Sequence, residues 1–337
     1  MKTEQMLQRL CMAPGLSGRE DAARETAQAL LTELGLGRCE VTPLGSLLCY
    51  LGEGPDPVML EAHLDQVGMV VTHVEEGFLR VANCGGIDRR LLPAQRVTVH
   101  TAGGPRGCVV ASVPPHLKGA DEGPAKWEEM LLDTGCSTRR AKELFAPGDA
   151  VTPEAAFVRL AGERVTAPAL DNRAGCAAVI RAAALLKEMD CRRPVVLALC
   201  SFEELGGQGA ATAAFAAAPG RCYAVDVSFG LAPGLPEAKC GKLGHGPMVG
   251  VAPVLSRTMT RQLLDLAKTH EIPTQLEVMG GATGTDADKI VSVGRGIPTA
   301  LLSIPQRNMH TPVEVVDLRD VEHTARLLAL AVKEGNV

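Results

Sequence analysis

A chain of 337 residues is long enough for one large domain or two. An apolar fraction of 46% with only 3% aromatic residues implies a core of alanine, valine and leucine, and a net charge of −5 without a basic stripe argues against nucleic-acid and anionic-membrane surfaces. The 11 cysteines are odd in number, show no C-x-x-C spacing and include Cys49, Cys176, Cys200 and Cys222 inside apolar segments, which fits reduced core residues better than a disulfide framework or a thiolate zinc site.

The N-terminus alternates charged with apolar residues and has no signal-like apolar core, and no stretch reaches the ~18 apolar residues of a membrane span, so a cytoplasmic location is expected. Helical spacing runs from Thr3 to Leu34 around a break at residues 11–18, where Ser17 and Glu20 have capping-box spacing for a second helix. Strand-like runs follow at Glu40–Tyr50, around a turn at residues 43–46, and at Pro57–Leu64.

From about Val67 to Arg164 the texture changes to short β-rich pieces: Met69–Val74, Phe78–Asn83, Arg96–Thr101 and Gly107–Val113. These predict a small β-domain inserted at 67–164, with Pro114–Lys126 as an exposed loop, into a domain formed by 1–66 and 165–337. The second half alternates regularly: a helix after Asp171, strand Pro194–Phe202, helix Gly209–Ala217, strand Arg221–Phe229, helix Thr260–His270, strand Pro298–Ile304 and helix Leu318–Lys333. That order predicts an α/β fold with a mostly parallel sheet flanked by helices.

Open α/β sheets gather function beyond the carboxyl ends of their strands, and the acidic and imidazole side chains fall there. His63 and Asp65 end one strand, Glu203 and Glu204 end another, Asp226 lies within a third, His310 follows a fourth, and Asp171 enters a helix. His63, Asp171, Glu204, Asp226 and His310 suit two divalent cations if Asp171 bridges them, with three protein ligands each and room for a water. Glu203 would then be the general base, and Asp65, on the same strand face as His63, would orient its imidazole.

Each residue also has a structural reading: Ser201 with Glu204 as a capping box, Asp171 as an N-cap, His63 as a core histidine, Asp226 as a turn residue and His310 as a surface loop residue. Their joint occurrence at strand ends favours the catalytic reading. His73, His100, His245, His270 and His323 lack acidic partners in such settings and are treated as ordinary. The run from Gly280 to Asp286 lacks the Lys-Ser/Thr ending of a phosphate loop and reads as a substrate-facing turn or a plain tight turn.

With these residues assembled, the chain resembles the M42 family of dinuclear metal aminopeptidases, the glutamyl and tetrahedral aminopeptidase group within the zinc-peptidase clan. The resemblance is carried by Cys11–Glu20, Ala62-His-Leu-Asp-Gln-Val-Gly68, Gly85-Gly-Ile-Asp88, Asp171-Asn-Arg-Ala-Gly175, Glu203-Glu-Leu-Gly206, Gly284-Thr-Asp-Ala287 and Pro305-Gln-Arg-Asn-Met-His310 with Glu314. It implies a zinc-peptidase-like fold, one metal on His63, Asp171 and Asp226, a second on Asp171, Glu204 and His310, Glu203 as base and Asp65 as orienting acid. It also implies two divalent ions per subunit, zinc or cobalt, peptide substrates, and an inserted domain that pairs subunits into dimers of a dodecamer. Asn308 and Phe202 depart from the family's usual aromatic and glutamine and bear on the pocket walls rather than on a ligand.

The expected activity is removal of N-terminal residues from peptides. An amidase or deacylase acting on small acylated substrates with the same centre is the alternative. Further from the residue pattern stand an endoglucanase, since glycosidases use a spaced carboxylate pair and no metal pair, and a metal-free binding or scaffold protein.

Overall fold

The structure is a computed structural model and describes residues 1–117 and 125–335. Two helices open the chain, α1 (Thr3–Met12) and α2 (Asp21–Glu33). Strands β1 (Arg38–Val41), β2 (Leu47–Leu51) and β3 (Val58–His63) follow. Then come β4 (Gly68–Glu75), β5 (Phe78–Cys84), β6 (Arg96–Thr101), β7 (Gly104–Val110), β8 (Leu131–Asp133), helix α3 (Thr138–Leu144) and β9 (Ala150–Pro153). The chain continues through β10 (Val158–Arg159), β11 (Arg164–Ala167), α4 (Leu170–Glu188), β12 (Val195–Cys200), α5 (Gln208–Ala217) and β13 (Arg221–Phe229). It ends with β14 (Met248–Val251), α6 (Arg257–Thr269), β15 (Gln275–Val278), α7 (Ala287–Ile290), β16 (Thr299–Gln306), β17 (Glu314–Asp317) and α8 (Leu318–Glu334).

One eight-stranded sheet organises the fold, in the order β1-β2-β12-β3-β13-β16-β14-β15. Its central strands β12, β3, β13 and β16 run parallel, whereas β1, β2 and the β16–β14 junction are antiparallel. Strands β3, β12 and β16 are buried throughout and β13 at all but its two end residues, as strands covered on both faces must be. Alternation along β3 sends Leu60 and Ala62 into the large core with α4 and α8, and Met59 with Ala210, Ala213 and Ile290 into a smaller core under α5 and α7. Glu61 and His63 share the α5/α7 face with Met59, and the site is built there.

Strands β4 to β9 close into a six-stranded antiparallel barrel, ordered β4-β5-β8-β7-β6-β9, with β9 returning to pair with β4. Alternate residues fill it, among them Met69, Val71, Leu79, Val81, Val97, Val99, Leu132 and Val151. The predicted strand at Gly107–Val113 is β7, which starts earlier because a tight turn after Thr101 sends the chain back at Gly104. Of the expected loop at 114–126, residues 118–124 lie outside the described residues.

The capping box expected at Ser17 and Glu20 does not form. Ser17 instead donates its hydroxyl to Asp65 over 2.5 Å, and Glu20 accepts the Gly18 N–H, because a buried carboxylate draws the nearest donor away from the helix end. His270 pairs with Glu334 at 2.9 Å near the surface, away from the strand ends. Among the described residues no helix is long and apolar enough to cross a membrane.

Candidate metal centre

His63 closes β3, and its Nε2 lies 3.2 Å from Asp171 Oδ1 and 3.6 Å from Asp226 Oδ1. Across the site, His310 Nε2 lies 3.3 Å from Asp171 Oδ2 and 3.3 Å from Glu204 Oε1. The two oxygens of Asp171 therefore face two different triads, His63–Asp171–Asp226 and Asp171–Glu204–His310, each with its donor atoms mutually within 4.8 Å. This is the arrangement a bridging carboxylate requires.

The imidazoles are aimed by the main chain. His310 Nδ1 sits 3.0 Å from the Gly86 carbonyl and His63 Nδ1 3.2 Å from the Asp65 carbonyl, with the Asp65 carboxylate at 3.5 Å. A proton held at Nδ1 leaves the Nε2 lone pair free to face the centre. Glu314, fully buried, accepts the main-chain N–H of both Asp171 (3.0 Å) and His310 (2.8 Å), so it fixes the backbone at one residue from each side of the bridge.

Glu203 and Glu204 leave β12 in a single 3-10 turn, residues 203–205, entered through Phe202 at φ 63°. Asp65 latches that turn. Its Oδ1 accepts the Glu203 N–H at 3.0 Å and its Oδ2 the Glu204 N–H at 3.1 Å, while Ser17 donates to the same carboxylate. The side chains of consecutive residues in such a turn diverge by about a third of a revolution, which sends the two carboxyls to different places.

Four non-glycine residues beside the site hold left-handed backbone: Ala169 (φ 55°), Phe202 (φ 63°), Asn308 (φ 57°) and His310 (φ 61°). Strain of this kind persists where surrounding bonds over-determine the conformation, as the Glu314 and Asp65 carboxylates do here. The alternative helix-cap readings fail for the same reason. Ser201 donates to the Leu44 carbonyl, and Asp171 has non-helical backbone inside α4 with its carboxylate turned to the histidines.

Titration reflects the crowding of acids. Burial pushes the Glu203 carboxyl up to about 8, opposed by His63 and reinforced by Asp226, Glu204 and Asp171. Burial also raises Glu204 and Asp226. For Asp171 burial acts upward but is outweighed by its hydrogen bonds to His310 and His63, and its carboxyl falls below the usual range. Hydrogen bonds to Asp171 and Glu204 push His310 up to about 11; His63 rises well above its ordinary value because three carboxylates outweigh its burial. Four carboxyls around two imidazoles leave an excess of buried negative charge, and nitrogen and oxygen donors of this kind fit divalent cations.

All seven singled-out residues thus meet in one place. The sequence reading missed a neighbouring buried group, Glu61, Cys200 and Asp286, which lies on the same sheet face two residues below His63. Burial pushes Glu61 up to about 7, and Asp286 well above its range. Its signals are a glutamate inside the apolar run Pro57–Leu64, Cys200 inside another apolar segment and Asp286 at the end of the glycine-rich run. The run ending in Asp286 is a turn in which Asp288 accepts from the Thr283 and Gly284 N–H groups, with Asp286 directed inward.

The model of the M42 glutamyl aminopeptidase family matches residues 45–327. A lysyl aminopeptidase of Pyrococcus furiosus is 33% identical over 98% of this chain and 96% of its own length. Among solved structures, a TET aminopeptidase from a marine-sediment Thaumarchaeota archaeon superposes with a TM-score of 0.93 at 27% identity, covering 99% of this chain and 97% of that one. The TET1 peptidase of Pyrococcus horikoshii, which assembles into a tetrahedron or a large octahedral shell, gives 0.88 at 30% identity over 99% of this chain and all of its own. With the family model spanning most of the chain and a relative this similar along its whole length, the protein belongs to the M42 aminopeptidase family.

Proposed function

We propose that the chain is a two-metal aminopeptidase in which His63, Asp171 and Asp226 hold one divalent ion, Asp171, Glu204 and His310 hold the other, and Glu203 is the general base. The observation that carries this reading is the division of the two Asp171 oxygens between the two triads. Zinc and cobalt both suit such donors. Two bound ions would supply Lewis-acid polarisation of the scissile carbonyl and a more acidic water.

The remaining work falls to the chain. Glu203, whose carboxylate is not among the triads and whose proton affinity is raised by burial, accepts a proton from the water whose oxygen attacks the carbonyl carbon and returns it to the amine nitrogen as the C–N bond breaks. Asp65 positions it by holding the turn through main-chain N–H groups. His63 and His310 keep their Nδ1 protons on carbonyls, so they do not compete for the transferred one.

The barrel, within the inserted segment 67–164, is proposed as the dimerisation module, with dimers assembling further into a dodecamer. Support comes from the P. horikoshii relative, solved as a dodecamer. Relatives named for lysine and for glutamate leave the preferred terminal residue open.

The test is a Glu203→Gln variant of the metal-loaded protein. Turnover of aminoacyl anilides should fall by about 10²- to 10⁴-fold with divalent-ion content per subunit unchanged by elemental analysis. Near-normal turnover assigns the base elsewhere. Cleavage of N-acyl amino acids in preference to aminoacyl anilides would favour the amidase or deacylase reading, and a chain that binds no divalent ion and stays inactive after ion addition would be a scaffold.

A further inference from the structure

Strand β15 is an edge strand with its polarity reversed: Leu276 and Val278 are exposed, at 57% and 75%, while Glu277 between them points inward and is half-buried. Its carboxylate is held by two buried serines. Ser303 donates to Oε2 over 2.5 Å and Ser228 donates to Oε1. Among the described residues it has no lysine, arginine or histidine partner.

Register places this carboxylate beside the centre. Ser303 is the direct neighbour of Asp226 in the parallel β13–β16 pair, and Ser228 lies two residues beyond Asp226 on the same face, toward the strand ends where the site opens. Glu277 pairs with Gly250 on β14, and Met248, two residues before it, pairs with Ser303. All therefore share one sheet face, and Glu277 reaches across β14 to both serines. Neighbouring strands are ~4.8 Å apart, so the carboxylate stands within one extended side chain's length of Asp226.

A half-buried carboxylate with both oxygens already oriented by hydroxyls and no protein cation is a receptor for a cationic group. We propose that Glu277, set by Ser228 and Ser303, is the specificity residue for the first residue of the substrate and selects a lysine or arginine side chain there. This rests on the aminopeptidase reading above. Two other uses of the same carboxylate make different predictions: an inward charge that guards a sheet edge against pairing, or a contact to the α-ammonium that every peptide carries.

The experiment compares the aminomethylcoumarin amides of lysine and of norleucine, its uncharged counterpart of nearly equal length, on the metal-loaded full chain. The wild type should favour lysine about 10- to 100-fold in kcat/KM. Glu277→Gln, whose amide can still meet both serines because hydroxyls reverse direction, should collapse that ratio toward one, with the loss concentrated in KM for lysine. A wild-type ratio near or below one overturns the proposal without need of any variant. A ratio unchanged in Glu277→Gln also overturns it, leaving the edge guard if both rates are kept and the α-ammonium contact if both fall together. Cleavage of neither substrate, nor of any other aminoacyl amide, overturns the aminopeptidase reading itself and this inference with it.

Discussion

Asp65 holds the turn that gives two adjacent glutamates the different positions their proposed roles, base and ligand, require. Strand alternation predicts that Glu203 and Glu204 point apart, and they do diverge, but the cause is a 3-10 turn whose first two N–H groups end on the Asp65 carboxylate. That carboxylate accepts three hydrogen bonds from the chain, counting Ser17, and faces His63 as well. An amide has only one acceptor oxygen. Asp65→Asn should therefore free one glutamate N–H and misplace the base, lowering kcat by about 10- to 100-fold, as loss of a supporting partner behind a metal ligand typically does. Metal content should fall far less than in His63→Ala, because no proposed ligand is removed. Equal kcat in Asp65→Asn and wild type would mean that the turn holds itself.

Close approach of α5 to the end of β12 sets that turn from the other side. A Cβ at Gly209 would lie 1.9 Å from the Ser201 carbonyl oxygen, a main-chain atom that cannot swing away. Gly209→Ala should cost about 1–3 kcal/mol, read as a lowered thermal midpoint, and should depress activity by shifting residues 203–205. Gly281→Ala meets nothing within 4 Å and serves as the control, expected within about 0.5 kcal/mol of wild type. A midpoint shared by the two variants would show that α5 has slack. Long elements such as α4, α8 and β13 are legible in the sequence because apolar character is sustained over many residues, along one face in α8 and nearly continuously in α4 and β13. Strands β14 and β15 are not, since four residues each, one with a glycine and one with its polarity inverted, carry no period to read. The residues proposed as ligands are legible for a different reason: imidazoles and carboxylates gathered together at strand ends have few other uses. Glu61 and the backbone contacts of Glu314 escape because they depend on which groups the fold brings against them, Cys200 and Asp286 for the first and two main-chain N–H groups for the second, a tertiary fact.

At the scale of the whole molecule the centre ties together β3, α4, β12, β13 and the loop after β16, so its charge balance bears on global stability. Without ions, the facing carboxylates keep protons on both histidines: His63 is raised well above its ordinary value and His310 to about 11. Groups with a raised folded-state value stabilise the fold fully below the unfolded value, about 6.5, and lose that contribution as pH rises through the folded value. The ion-free chain should thus weaken progressively above pH 6.5. Ion binding runs the other way, since each ion must displace a proton from an imidazole nitrogen, so affinity climbs with pH. Ions that bind only the folded chain add about 2.7 kcal/mol each at a hundredfold excess over Kd. The gap in thermal midpoint between metal-loaded and chelated protein should therefore widen from pH 6 to pH 8, and the calorimetric heat of ion binding should scale with the ionisation enthalpy of the buffer. A constant gap together with buffer-independent heats would show that the imidazoles are already neutral, and that the carboxylates facing them have partners other than those protons.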